Sequence, residues 1–113
     1  MEKIIRSLLA VAVTSIAVTS LACDYPGDAD FVVPNGAKAT KEEMIATQGK
    51  VKSFVSSIEG YLTCLDEKQA AAGDELTEEQ QSIYSMRYNA AVDAMEQVAD
   101  QFNTALGAYR DAQ

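Results

Sequence analysis

The chain has 113 residues with 17 acidic and 9 basic side chains, so its formal net charge is −8 at neutral pH. An acidic chain without basic runs is a poor candidate for binding nucleic acid or an anionic membrane surface. Histidine is absent, which removes the commonest general base and metal ligand. The length limits the chain to one domain with a modest core.

Residues 1–22 have the layout of a secretory signal peptide. Lys3 and Arg6 form a basic head, and an uncharged run of 16 residues ends at Ala22 with a small-x-small cleavage pattern. A membrane-spanning helix needs about 20 apolar residues, whereas this run is shorter and contains several Ser and Thr. We predict cleavage before Cys23 and a periplasmic or secreted protein without a membrane span. A retained membrane anchor is the alternative.

The mature chain would keep two cysteines, Cys23 and Cys64, and would carry a formal charge of −9, because two basic residues and one acidic residue leave with the signal peptide. In an oxidising compartment an even pair is typical of a disulfide bond. Two free thiols are one alternative. A lipoprotein anchored through Cys23 is another, although Ser20 stands where a lipobox usually has leucine.

Residues 23–39 are predicted to form an extended arm. Tyr25, Phe31, Val32 and Val33 give this segment more apolar character than a free tail usually has. Proline, glycine and asparagine interrupt any regular element in it. These residues are Pro26, Gly27, Pro34, Asn35 and Gly36.

A first helix is predicted from about residue 40 to residue 72. Thr40 and Glu43 match a capping box at its start, and Gly73 is a natural stop. Apolar residues recur at intervals of four and three, with Gln48 filling one gap, and this spacing is the seam of two-helix packing. The seam residues are Met44, Val51, Val55, Ile58, Leu62 and Leu65.

A second helix is predicted from about residue 77 to residue 112, with a capping box at Thr77 and Gln80. Its seam shows the same alternation without a gap. The seam residues are Tyr84, Tyr88, Ala91, Met95, Val98, Phe102, Ala105 and Tyr109. Val92, Ala99 and Leu106 widen the apolar stripe on one flank.

These elements predict an all-α fold, an antiparallel two-helix hairpin resembling a coiled coil over residues 40–113. Each helix would be roughly 50 Å long, and a short connection forces antiparallel neighbours. A disulfide from Cys23 to Cys64 would then tie the extended N-terminal arm back along the first helix. A three-helix bundle, with the first helix broken at Gly60, is the alternative.

A stripe of small residues on the first helix predicts where the arm lies. Each helical glycine costs about 1 kcal/mol against alanine, so a groove that lets the arm backbone lie close would account for Gly49 and Gly60. An exposed face of small polar residues is the alternative. The stripe consists of Ala46, Gly49, Ser53, Ser56, Gly60 and Thr63.

The sequence contains no set of residues typical of catalysis. Ser and Thr lack a histidine partner, and there is neither a phosphate-binding loop nor a Cys-x-x-Cys pair. Acidic residues on the arm and at the turn between the helices favour solvated loops and helix-dipole stabilisation, with calcium binding as the alternative. They are Asp24, Asp28, Asp30, Asp74, Glu75, Glu78 and Glu79. We expect no catalytic residue, no metal site, no cofactor and no enzyme activity.

The segment Cys23-Asp24-Tyr25-Pro26 resembles the mature start of a group of small exported proteins of Gram-negative bacteria. The resemblance covers most of the mature chain. It implies a disulfide-linked helical periplasmic protein, and it favours cysteine pairing over lipidation because both cysteines belong to the shared pattern. It supplies no active site. The further matching segments are residues 34–40, Glu42-Glu43-Met44 and Tyr61-Leu62-Thr63-Cys64-Leu65.

The expected function is that of a non-enzymatic protein that binds another protein, or a second copy of itself, through its helical hairpin. Apolar residues outside the seam form the candidate partner surface, unless Tyr25 of the arm covers the first two of them. They are Ile83, Met86, Val92, Ala99 and Leu106. The alternative function is a small-ligand or metal-ion binder that uses the acidic arm and the turn between the helices.

Overall fold

The computed structural model describes residues 23–113, and the predicted signal peptide lies outside the described residues. The described chain is all-α, with α1 spanning Lys41–Ala72, a 3-10 turn at Gly73–Glu75 and α2 spanning Glu78–Asp111. No residue of this part forms a strand. Neither helix combines the length and hydropathy that crossing a bilayer requires. The predicted helical hairpin is confirmed.

Both helices begin at reciprocal capping boxes. Thr40 Oγ1 accepts a hydrogen bond from the Glu43 N–H at 3.1 Å, and Glu43 Oε2 accepts one from the Thr40 N–H at 2.8 Å. Thr77 and Gln80 repeat this arrangement at 3.1 and 2.9 Å. At the end of α1, Gly73 has φ +51°, a backbone conformation that residues other than glycine rarely adopt. The helix ends lie within one residue of the prediction because these local signals fix them.

The helices pack antiparallel, with two clusters of buried side chains between them. Phe54 packs against both clusters, so the core is continuous along the hairpin. The open-end cluster consists of Met44, Val51, Val98, Phe102 and Ala105. The turn-side cluster consists of Ile58, Tyr61, Leu62, Leu65 and Ala91. Because α1 continues unbroken through Gly60, the three-helix alternative is wrong.

One position of the predicted seam differs in the structure. Gln48 is exposed, and its neighbour Thr47 is buried instead. The Thr47 hydroxyl donates a hydrogen bond to the Glu43 carbonyl oxygen at 2.7 Å. This bond satisfies a buried polar group within its own helix, so the Thr47 hydroxyl needs no partner from α2.

The disulfide bond between Cys23 and Cys64 is present, with the two Cα atoms 5.7 Å apart. No free cysteine remains among the described residues, so the alternative of two free thiols is wrong. The arm therefore starts beside Cys64, in the last third of α1, and runs back to the N-cap at Thr40. This course is antiparallel to α1, as predicted.

Candidate functional site

The arm lies over the groove between α1 and α2. Ala29, Phe31 and Val33 pack against the open-end cluster, to which both helices contribute. The intervening residues Asp30 and Val32 are exposed. This alternation of inward and outward side chains resembles that of a strand lying on a surface, although the backbone bends at Asp28 and Phe31.

On the α1 side, the arm covers a second ridge, which the sequence analysis missed. Thr47, Phe54 and Tyr61 recur every seven residues beside the seam. Phe31 meets Phe54 edge-on with ring centroids 6.4 Å apart. Such T-shaped pairs contribute about 0.5–1.5 kcal/mol beyond the area they bury. Large residues that recur every seven positions outside the seam need a packing partner other than α2. This spacing could have predicted the ridge from the sequence.

The small-residue stripe of α1 does not hold the arm, because all six of its residues are exposed. A Cβ added at Gly49 or Gly60 would meet no packing neighbour within 4 Å. No close approach of the arm therefore requires glycine at these positions. The predicted groove is wrong, and the alternative of an exposed face of small residues describes this side of α1.

The close contact of the arm lies at Gly36 and is made with α2. A Cβ at Gly36 would overlap the carbonyl oxygen of Ala105. Gly36 belongs to a turn in which the Lys38 N–H donates to the Asn35 carbonyl oxygen at 3.1 Å. Asn35 Oδ1 also accepts a hydrogen bond from the Ala37 N–H at 3.0 Å. This turn places the end of the arm in contact with α2, just before α1 begins.

Tyr25 anchors the other end of the arm. Its ring packs edge-on against Tyr61 with centroids 5.5 Å apart, and its hydroxyl donates to Asp28 Oδ1 at 3.3 Å. Burial raises the pKa of Tyr25, and the negative charge of Asp28 raises it further. Tyr25 does not bury Met86, which stays 65% exposed.

The acidic residues of the arm and of the turn do not form a metal site. Among residues 23–113, no group of three or more Cys, Asp or Glu side chains is close enough to hold a metal ion. Asp28 instead accepts the hydroxyl of Tyr25. Thr77 and Gln80 cap α2 at the turn, so the carboxylates there are not needed as caps.

The five residues of the predicted partner surface lie in two environments. Val92 packs against the turn-side cluster and Leu106 against the open-end cluster, while Ala99 is half-buried. Ile83 is 38% exposed and Met86 65%. Only Ile83 and Met86 therefore offer large apolar side chains to solvent, and they lie one turn apart on α2.

An open trough, with a volume of about 970 Å³, lies between the arm and α2. Its arm wall runs from Phe31 to Gly36, and its α2 wall lies between residues 93 and 108. Val32, on the arm wall, is 90% exposed. The α2 wall carries three carboxylates and the trough has no basic lining residue. These carboxylates belong to Asp93, Glu96 and Asp100.

The backbone of the arm is unpaired beside this trough. In the described part of the chain, no hydrogen bond within the protein uses a backbone N–H or carbonyl of residues 28–34. In an extended strand whose side chains point in and out, the backbone polar groups point sideways along the surface. Where the arm is extended, alternate N–H and carbonyl groups of residues 28–34 would therefore face the trough.

These features define a helical hairpin that is covered on one side by an extended arm and fastened by one disulfide. No protein-family model matches the chain, and neither a curated protein nor a solved structure does.

Proposed function

We propose that this protein is exported, has no enzyme activity and acts by binding another protein. The proposal is carried by large apolar side chains that are exposed although the hairpin already has a continuous core. Exposed apolar groups that lie together on a folded domain are typical of interaction sites. Among the exposed large apolar residues, Ile83 and Met86 lie one turn apart on α2 and form such a group, whereas Tyr25, Val32 and Ile45 lie elsewhere on the chain.

Ile83 and Met86 are the centre of the proposed partner surface. The arm begins at Cys23, which lies beside Arg87 and Ala90 of α2. The preceding turn of α2 is therefore left uncovered. Because the capped helix holds both side chains in place before binding, a partner would meet a preorganised surface at low entropic cost.

Export is supported by the signal-peptide pattern of residues 1–22 and by a disulfide, which is compatible with an oxidising compartment. The resemblance to small exported proteins of Gram-negative bacteria supports a periplasmic location. A lipoprotein would carry its lipid on the sulfur of Cys23, but that sulfur is bonded to Cys64. This favours a free mature protein over one anchored by lipid.

Site-specific photo-crosslinking in the exported, oxidised protein tests the proposal. A photoreactive residue at Met86 should form an adduct of defined mass, either with another envelope protein or with a second copy. The same residue at Asn103, an exposed polar position of α2, is the control. Light scattering then separates the two kinds of partner. A monomer that forms no adduct at Met86 would contradict the proposal.

A further inference from the structure

We propose that the trough between the arm and α2 binds an extended basic segment of a partner protein, which adds to the arm as a β-strand. The inference rests on the proposed function of protein binding. It adds a second surface, distinct from Ile83 and Met86, and it states the chemistry of the segment that binds there.

The backbone of the arm provides the first argument. Phe31 and Val33 point into the core and Val32 points to solvent, so the free N–H and carbonyl groups of this stretch point sideways. An unpaired strand edge is a template for another extended chain, and peptide recognition by strand addition uses such edges. Pro34 has no N–H, so the pairing would end there.

The dimensions of the trough provide the second argument. Its arm wall runs from Phe31 to Gly36, and the three residues before Pro34 span about 10 Å when extended. Residues 93–108 of α2 rise about 23 Å along the helix axis. A segment of about six extended residues would therefore fit along α2 and pair with the arm over the three residues before Pro34.

Charge identifies the occupant. Asp93, Glu96 and Asp100 follow one another along the α2 wall at rises of about 5 and 6 Å. Alternate side chains of an extended strand lie about 7 Å apart, so basic residues at alternate positions would each meet a carboxylate. Complementary charge of this kind sets specificity and the association rate.

A second copy of this chain is a poor occupant, because the mature chain carries a formal charge of −9. The groove on the opposite side of the arm is also less suitable. It is lined by Asp28 and Asp30 but also by Lys50, so its charges are mixed. The edge of the arm that faces the trough is therefore the more favourable one for binding a basic strand.

A labelled six-residue peptide of alternating Lys and Val, titrated into the oxidised exported protein, tests the inference by fluorescence anisotropy. We expect saturable binding that weakens with salt, and no binding of the matched Glu-Val peptide. The variant D93N/E96Q/D100N should bind the Lys-Val peptide about tenfold more weakly. The variant E59Q/D66N/E67Q, which changes the formal charge equally on α1, should bind it as the parent does.

Strand addition is tested separately with two N-methylated peptides, one methylated at every Lys and one at every Val. Only one face of a strand donates to the arm, so one of these peptides should lose binding and the other should keep it. Amide shifts in nuclear magnetic resonance spectra should change at residues 31–33. Equal binding by both methylated peptides overturns the strand pairing.

Absence of peptide binding, or equal weakening in both charge variants, overturns the trough as a site for a basic segment. Neither result affects crosslinking at Met86, which tests protein binding at the other surface. Failure of the inference and failure of the proposed function are therefore distinguishable.

Discussion

Gly36 and the two exposed glycines of α1 occupy opposite environments, which leads to opposite predictions for alanine. Gly49→Ala and Gly60→Ala should each stabilise the protein by about 1 kcal/mol, because alanine favours a helix and the new Cβ meets no neighbour. Gly36→Ala should destabilise it by about 1–3 kcal/mol, because its Cβ overlaps the Ala105 carbonyl. Urea unfolding of the oxidised proteins measures all three. If Gly60→Ala instead lowered the free energy of unfolding, the prediction that the arm lies in a groove on α1 would be supported.

Tyr25 makes the arm sensitive to alkaline pH. Its pKa is raised above the ordinary value of 10.0 by burial and by Asp28, so the folded state favours the neutral phenol. This contribution to stability is complete below pH 10 and is lost as the pH rises through the raised pKa. We expect ultraviolet titration to show the phenol of Tyr25 ionising above its ordinary pKa, and Tyr25→Phe to remove this step. Asp28→Asn should bring the pKa of Tyr25 back towards its ordinary value.

Above pH 10 the unfolding free energy of the parent should fall more steeply than that of Tyr25→Phe. The two proteins differ only in this hydroxyl, so the difference between their pH profiles isolates Tyr25. Identical pH profiles would contradict a role for its hydroxyl.

At the scale of elements, the two helices could be predicted because their signals are local. Thr40 with Glu43, and Thr77 with Gln80, fix where the helices begin, and a spacing of four and three fixes which faces meet. The path of the arm could not be predicted in the same way. Small residues such as Gly60 suggested a groove where the structure has an exposed face.

The trough depends on contacts between distant parts of the chain. Its walls, residues 31–36 and residues 93–108, are far apart in sequence. The disulfide at Cys23 and the contact of Gly36 with Ala105 together set the register of the arm. Neither the contact nor the register leaves a periodic signal in the sequence, so this candidate site was missed.

The alternation of the arm predicts opposite results at neighbouring positions. Phe31→Ala should destabilise the protein by roughly 2 kcal/mol, because its half-buried ring packs on Phe54. Val32→Ala is the matched control and should change the stability by less than about 0.5 kcal/mol, since Val32 is 90% exposed. Urea unfolding measures both. Equal effects would mean that the arm does not lie on the helices in this register.

At the scale of the whole molecule, two helices alone form a thin structure with few fully buried side chains. Among the hydrophobic residues of the described chain, 23–113, only Ile58, Leu65 and Ala91 are at most 1% exposed. Domains of this size bury a small share of their surface, and many need disulfides to be stable. The arm adds apolar residues over the groove, and the disulfide keeps them there.

Removing the disulfide should therefore have the largest single effect on stability. The bond joins residues 41 positions apart, and closing a loop of this length contributes about 4 kcal/mol on the chain-entropy model. We expect Cys23→Ala/Cys64→Ala to lose about this much in urea unfolding, and reductant to have the same effect on the parent. Reductant should leave the double variant unchanged, which controls for effects elsewhere.

Circular dichroism in buffer should show that α1 and α2 persist in the double variant, because their caps and seam do not depend on the arm. Amide hydrogen exchange should then increase most around Tyr61 and Cys64, which contact the tethered end of the arm. If the double variant instead matches the parent in both stability and exchange, packing of Phe31 and Tyr25 alone holds the arm in place. The disulfide would then add nothing to the fold that non-covalent contacts do not already supply.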